Sequence, residues 1–109
     1  MPRRLALLLV PFLVAVPALA AEAPPPARQK ALIALLRQDC GACHGLTLKG
    51  GLGPPLLPAA LAAKPASALT AVILDGRPGT PMPPWRPFLS EAEAAWLATQ
   101  LKQGIKNDQ

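Results

Sequence analysis

Two cysteines and one histidine, the only residues of their kinds in a chain of 109, fall within five positions: Cys40-Gly41-Ala42-Cys43-His44. Each chemistry open to that cluster demands a different fold around it, so it restricts the architecture more than any other stretch. A zinc site takes four ligands from Cys, His or carboxylates, and no further Cys or His exists to complete one. A thioredoxin-like dithiol belongs at the start of a helix that follows a strand. Here the pair ends an apolar helical pattern and strand patterns are missing. A structural disulfide between residues three apart closes too short a loop to stabilise much, and it leaves His44 without a role.

Cys-x-x-Cys-His also has the spacing that attaches c-type haem. Thiols at Cys40 and Cys43 add across the two porphyrin vinyl groups as thioethers, and the next residue, His44, is thereby delivered to the iron as an axial ligand. One covalently attached haem c is therefore expected. The opposite axial ligand follows by elimination, because six-coordinate haem iron usually takes a second His or a Met. No second His exists, and Met1 belongs to a segment expected to be removed, which leaves Met82, 38 residues beyond His44. A lone methionine is often an adaptable core filler. The setting Pro81-Met82-Pro83-Pro84 instead restricts the backbone on both sides, as a weak thioether ligand requires.

Residues 1–20 read as a secretory signal peptide: Arg3 and Arg4, an apolar run from Leu5 to Val16, and the small-residue signature Ala18-Leu19-Ala20. The apolar run is broken by Pro11 and falls short of the roughly 20 residues a membrane-spanning helix needs. No stable membrane insertion is expected after processing. Cleavage would leave 89 residues with 9 basic and 6 acidic side chains, a net charge near +3 without clustering. That excludes a nucleic-acid-binding surface. A chain this short, with two Phe, two Trp and no Tyr, buries a small core and needs a staple or a cofactor.

Residues 21–26 form a Pro-rich spacer, and residues 27–109 the domain. The first helix starts near Ala27, carries Leu32, Ile33, Leu35 and Leu36, and is expected to end at Gly41. Leu46 to Pro58, with three glycines and three prolines, is a turned loop. Pro65 is placed in the first turn of a second helix that stops at Asp75-Gly76. The segment "GRPGTPMPPWRPF" is a stiff loop with five prolines. Ser90 and Glu93 make a capping box for the last helix, whose apolar stripe is Ala94, Leu97, Ala98 and Leu101 and which Gly104 can close. The fold class is all-α.

In order, "CGACHG", "GLGPPL", "VILDG", "MPPW" and "LSEAEAAWLATQL" resemble the class I cytochromes c over essentially the whole mature length. The wording of both loops is similar to the small periplasmic monohaem cytochromes called c55X, which accompany the cytochrome cd-type nitrite reductase. The resemblance implies a cytochrome c fold, with N- and C-terminal helices crossing and haem held between structured loops. It also implies that the Pro54 carbonyl accepts a hydrogen bond from the His44 ring, and that Trp85 lies beside the haem or packs in the core. It further implies a periplasmic location, loading by the cytochrome c maturation machinery, and transient contact with nitrite reductase and an upstream electron donor. With both axial positions filled, the iron offers substrate no site, so a one-electron carrier rather than an enzyme is expected. A role in maturing the reductase or its special haem is the alternative. Lys49, Arg77 and Arg86, on the two loops, are candidate docking residues.

Overall fold

A computed structural model of the protein describes Met1, residues 10–15 and residues 23–106. The cleavage signature at Ala18-Leu19-Ala20 and the start of the spacer lie outside the described residues. Helix α1, Pro26–Leu35, opens with proline at a position where the fixed φ and missing N–H cost nothing. The spacer expected to run through Pro26 therefore ends earlier. Pro24 is buried, and its carbonyl accepts a 2.8 Å bond from the Gln29 side chain.

The expected stop at Gly41 is not what the chain does. Leu36–Cys40 form a wide, π-helical turn in which the Gly41 N–H reaches back to the Leu36 carbonyl. Gly41 itself is right-handed helical (φ −62°, ψ −24°), and the helix runs on as α2, Gly41–His44. The residue that ends it is Gly45, at φ 89°. A Cβ there would lie 2.7 Å from the Gly50 carbonyl oxygen, so both conformation and space require glycine. Gly41 carries the same composition signal as Gly45, and only the returning loop distinguishes them.

Beyond the loop lie α3, Pro58–Leu61, a short helix the sequence patterns did not reveal, then α4, Ala66–Asp75, and α5, Glu91–Gln103. Pro65 is the extended residue before α4 (ψ 147°), not part of its first turn, while Gly76 ends α4 as expected at φ 68°. Four residues are too few for periodicity to register, and α3 is held from outside. The Lys102 ammonium on α5 donates to the carbonyls of Leu61 (3.3 Å), the last residue of α3, and Lys64, in the turn beyond it, the cation a helix C-terminus favours. The described residues contain no strand, and the fold is all-α.

One aliphatic core joins these pieces. Leu32 and Leu36 from the first helical stretch, both at most 1% exposed, pack with Ala94, Leu97 and Leu101 of α5, and Leu48, Leu61, Leu74 and Leu89 complete the cluster. The N-terminal and C-terminal helices thus share a face, bridged at its edge by an ion pair between Arg28 and Glu93. Glu93 has a second task. Ser90 Oγ accepts the Glu93 N–H at 3.1 Å while the Glu93 carboxylate accepts the Ser90 N–H at 3.0 Å, the reciprocal capping box.

The Arg28 hydrogen bond, followed by the Ser90 N–H, lowers the Glu93 pKa from its ordinary 4.5 to about 2. A depressed carboxylate pKa contributes stability that is complete above pH 4.5 and lost as pH falls toward 2. Denaturant unfolding followed by circular dichroism should therefore show an acid loss in that window which Glu93→Gln removes, the variant being less stable at neutral pH. Ser90→Ala should cost about 1 kcal/mol at all pH values above it.

Candidate cofactor site

The site has two halves, each a loop closed on a helix end. In the first, the loop after α2 folds back onto the turn it follows: the Gly50 N–H donates to the His44 carbonyl at 2.8 Å, and the Gly53 N–H to the Cys43 carbonyl at 2.8 Å. These bonds bring Pro54 alongside the imidazole, with 2.7 Å between His44 Nδ1 and the Pro54 carbonyl oxygen. A carbonyl only accepts, so Nδ1 carries a proton and Nε2 is the nitrogen left to meet a ligand. Gly53 backs the ring so closely that a Cβ would lie 2.7 Å from Cε1 and from Nδ1. The ring is thereby fixed in tautomer and in plane, as a metal-ligating imidazole is.

Cys40 and Cys43, on the same helical stretch, are both free thiols. Burial, with a smaller contribution from the Asp39 charge, pushes the Cys40 thiol up to about 11. A thiol that stays protonated at neutral pH is a poor redox nucleophile. Among the described residues no group of three His, Cys, Asp or Glu side chains could hold a metal ion alone. Two thiols beside one imidazole with a free Nε2 instead fit a porphyrin that brings four equatorial nitrogens of its own.

The second half is the loop from Gly76 to Leu89, which carries Met82 and Trp85. The Met82 N–H donates to Thr80 Oγ1 at 3.3 Å and its carbonyl accepts the Arg77 N–H at 3.2 Å, so both its backbone polar groups are held inside the loop. The Met82 side chain is half-buried, and so is Trp85, which packs against the core and lies 5.8 Å from the Phe88 ring. Gly76 is buried beneath this segment, where a Cβ would meet the Met82 carbonyl oxygen at 2.6 Å and Pro84 N at 2.9 Å.

Cys40, Cys43, His44 and Pro54 are thus gathered in one unit, Met82 and Trp85 in another, and the units join through the common core that Leu48 and Leu89 enter. Sequence reasoning missed Gly53, Thr80 and Gly76 as shaping residues. A glycine directly before the His-facing proline and one directly after a helix were the available signals. Of the basic candidates, Lys49 and Arg77 are exposed. Arg86 is already engaged, donating to Asp75 Oδ1 from Nη2 at 2.8 Å and to Glu91 Oε1 at 3.4 Å, which sets it apart from the expected docking group.

Comparison with known proteins shows the family. Residues 27–99 match the family described as cytochrome c oxidase, cbb3-type, subunit III. The chain is 55% identical over 93 residues to a cytochrome c55X of Pseudomonas aeruginosa, covering 85% of this chain and 78% of that one. The solved c-type cytochrome NirC superposes with a TM-score of 0.72 at 55% identity, over 73% of this chain and 94% of NirC. The solved dihydro-haem d1 dehydrogenase NirN gives a TM-score of 0.62 at 40% identity, over 71% of this chain and 17% of NirN. With a c55X relative matched over most of both lengths and a c-type cytochrome sharing the fold, the chain belongs to the c-type cytochromes, in the cytochrome c55X family.

Proposed function

We propose that this cytochrome is a periplasmic carrier of single electrons, accepting from an upstream donor and delivering to nitrite reductase. The observation that carries the reading is the His44 imidazole, held at Nδ1 by Pro54 and backed by Gly53, with Nε2 as its one available donor directly after two free thiols. In this reading Cys40 and Cys43 would hold one haem c through thioethers, with His44 Nε2 and the Met82 sulfur as its protein ligands, and the group would supply an iron that changes valence rather than a site for substrate. Pro54 would strengthen the imidazole as a donor, Thr80 and Arg77 hold the methionine, and Trp85 would lie beside the haem.

The likeness to part of a dihydro-haem d1 dehydrogenase supports a place beside haem d1 chemistry. Residues 1–20 direct export and are removed, the cytochrome c maturation machinery loads the domain from residue 27 onward, and docking is transient. Lys49 and Arg77 guide the encounter more than they hold it.

Acid-acetone extraction should leave the haem on the chain, and Cys40→Ala or Cys43→Ala should each sharply reduce attached haem, scored by the pyridine haemochrome spectrum. Met82→Ala should abolish the far-red sulfur-to-iron band of the ferric form, admit carbon monoxide to the ferrous form and lower the potential. Stopped-flow mixing of the ferrous protein with nitrite reductase should show fast, saturable transfer that weakens with salt, since charges are screened over about 10 Å at 0.1 M. Slow transfer, with a deletion strain whose reductase lacks its haem d1, would overturn the carrier reading in favour of a maturation role.

A further inference from the structure

We infer that Arg86 is a positioning residue: its ion pairs with Asp75 and Glu91 latch the neck of the methionine loop and set how often the loop opens. The inference rests on the reading of Met82 as axial ligand and goes beyond it, from which atom binds to what keeps it bound.

Segment 77–85 leaves the end of α4 and returns to it. At the neck, the Trp85 N–H donates to the Ile73 carbonyl at 3.0 Å and the Arg86 N–H to the Leu74 carbonyl at 3.1 Å. Arg86 then folds its side chain back over the same helix end, placing Nε at 2.9 Å and Nη2 at 2.8 Å from Asp75 Oδ1. Nη1 reaches 3.4 Å to Glu91, the first residue of α5. One guanidinium thus ties together the last residue of α4, the returning arm of the loop and the first residue of α5. Only an arginine has donors enough, in a flat fork, to span both carboxylates.

Inside the neck, Met82 is held by bonds local to the loop and by the close approach of its backbone to Gly76. None of those bonds anchors the loop to α5. A thioether is a weak ligand, so its loss from iron is governed by local opening of the segment that carries it. Opening hinges at the neck, where two backbone bonds and the Arg86 pairs resist it. The backbone bonds are insensitive to salt, whereas the ion pairs are exposed (52% for Arg86, 59% for Asp75, 80% for Glu91) and therefore screened. Salt sensitivity is thus the signature of the latch.

The test uses haem-loaded protein and measures the limiting rate at which imidazole, at saturating concentration, enters the ferric form. Arg86→Gln should raise that rate roughly two- to fivefold, the range open to exposed ion pairs, and Asp75→Asn by less, since it leaves the Glu91 pair in place. The double variant should match Arg86→Gln and not exceed it, because Arg86→Gln already removes both the Asp75 and the Glu91 pair. Added salt should raise the wild-type rate and leave that of Arg86→Gln unchanged, and Arg86→Lys should recover the rate only in part. Arg28→Gln, at the ion pair between α1 and α5, should lower overall stability and leave the rate alone.

Equal rates in wild type and Arg86→Gln, or a wild-type rate indifferent to salt, would overturn the latch. The salt series on wild-type protein decides the matter even for a variant that takes up no haem. Met82→Ala is run alongside. Persistence of the far-red band in that variant would refute the ligand assignment itself, a result distinct from failure of the latch.

Discussion

The hydrogen bond between His44 Nδ1 and the Pro54 carbonyl is the contact on which the rest of the site depends. It settles which imidazole nitrogen faces away from the protein, and it does so with a backbone acceptor that cannot rotate away or titrate. To bring that carbonyl to the ring, the chain must reverse within a few residues of α2. The glycines between Gly45 and Gly53 make the reversal possible, two of them at positive φ and one flat against the ring. Replacing the proline side chain would leave the carbonyl in kind, but the loop that aims it would lose its stiffness.

The molecule divides its labour between two materials. Aliphatic side chains from α1, α4 and α5 form a core with no buried polar residue among those described, and it holds the helices together without contributing chemistry. Glycines and prolines build the loops, which bury little. Each loop is therefore only as well placed as its seat on a helix end, Gly45 after α2, where the loop brings Pro54 to His44, and Gly76 after α4, where it carries Met82. This arrangement suits a redox carrier, whose coordinating groups must keep their places through a change of iron charge.

Much of this was legible in the sequence because the decisive signals are local. The pentapeptide from Cys40 to His44, the proline-rich run around Met82 that forms a stiff loop, and the capping box at Ser90 and Glu93 each announce themselves within a handful of positions. What escaped depends on residues remote in sequence or on backbone geometry that composition does not encode. Gly41 and Gly45 look alike as helix stops, yet one continues the helix and the other ends it, since only Gly45 lies against Gly50. The helix Pro58–Leu61 is too short for periodicity and depends on Lys102, roughly forty residues away. Arg86 reads as one more surface cation until Asp75 and Glu91 are seen beside it.

The reach of the contacts also has a kinetic meaning. The bonds that shape the histidine half close short stretches of chain, and the His44 to Pro54 contact spans only ten residues. Closing a loop of that length takes about 10–100 ns. The pairing of α1 with α5, by contrast, joins residues as far apart as Arg28 and Glu93, separated by 65 positions, and its loop-closure entropy must be met before the core rewards it. The Cys40–His44 turn with its returning loop is thus of low contact order and the helix pair of high contact order. Local contacts suffice to shape the turn around His44, whereas the core needs both ends of the domain brought together.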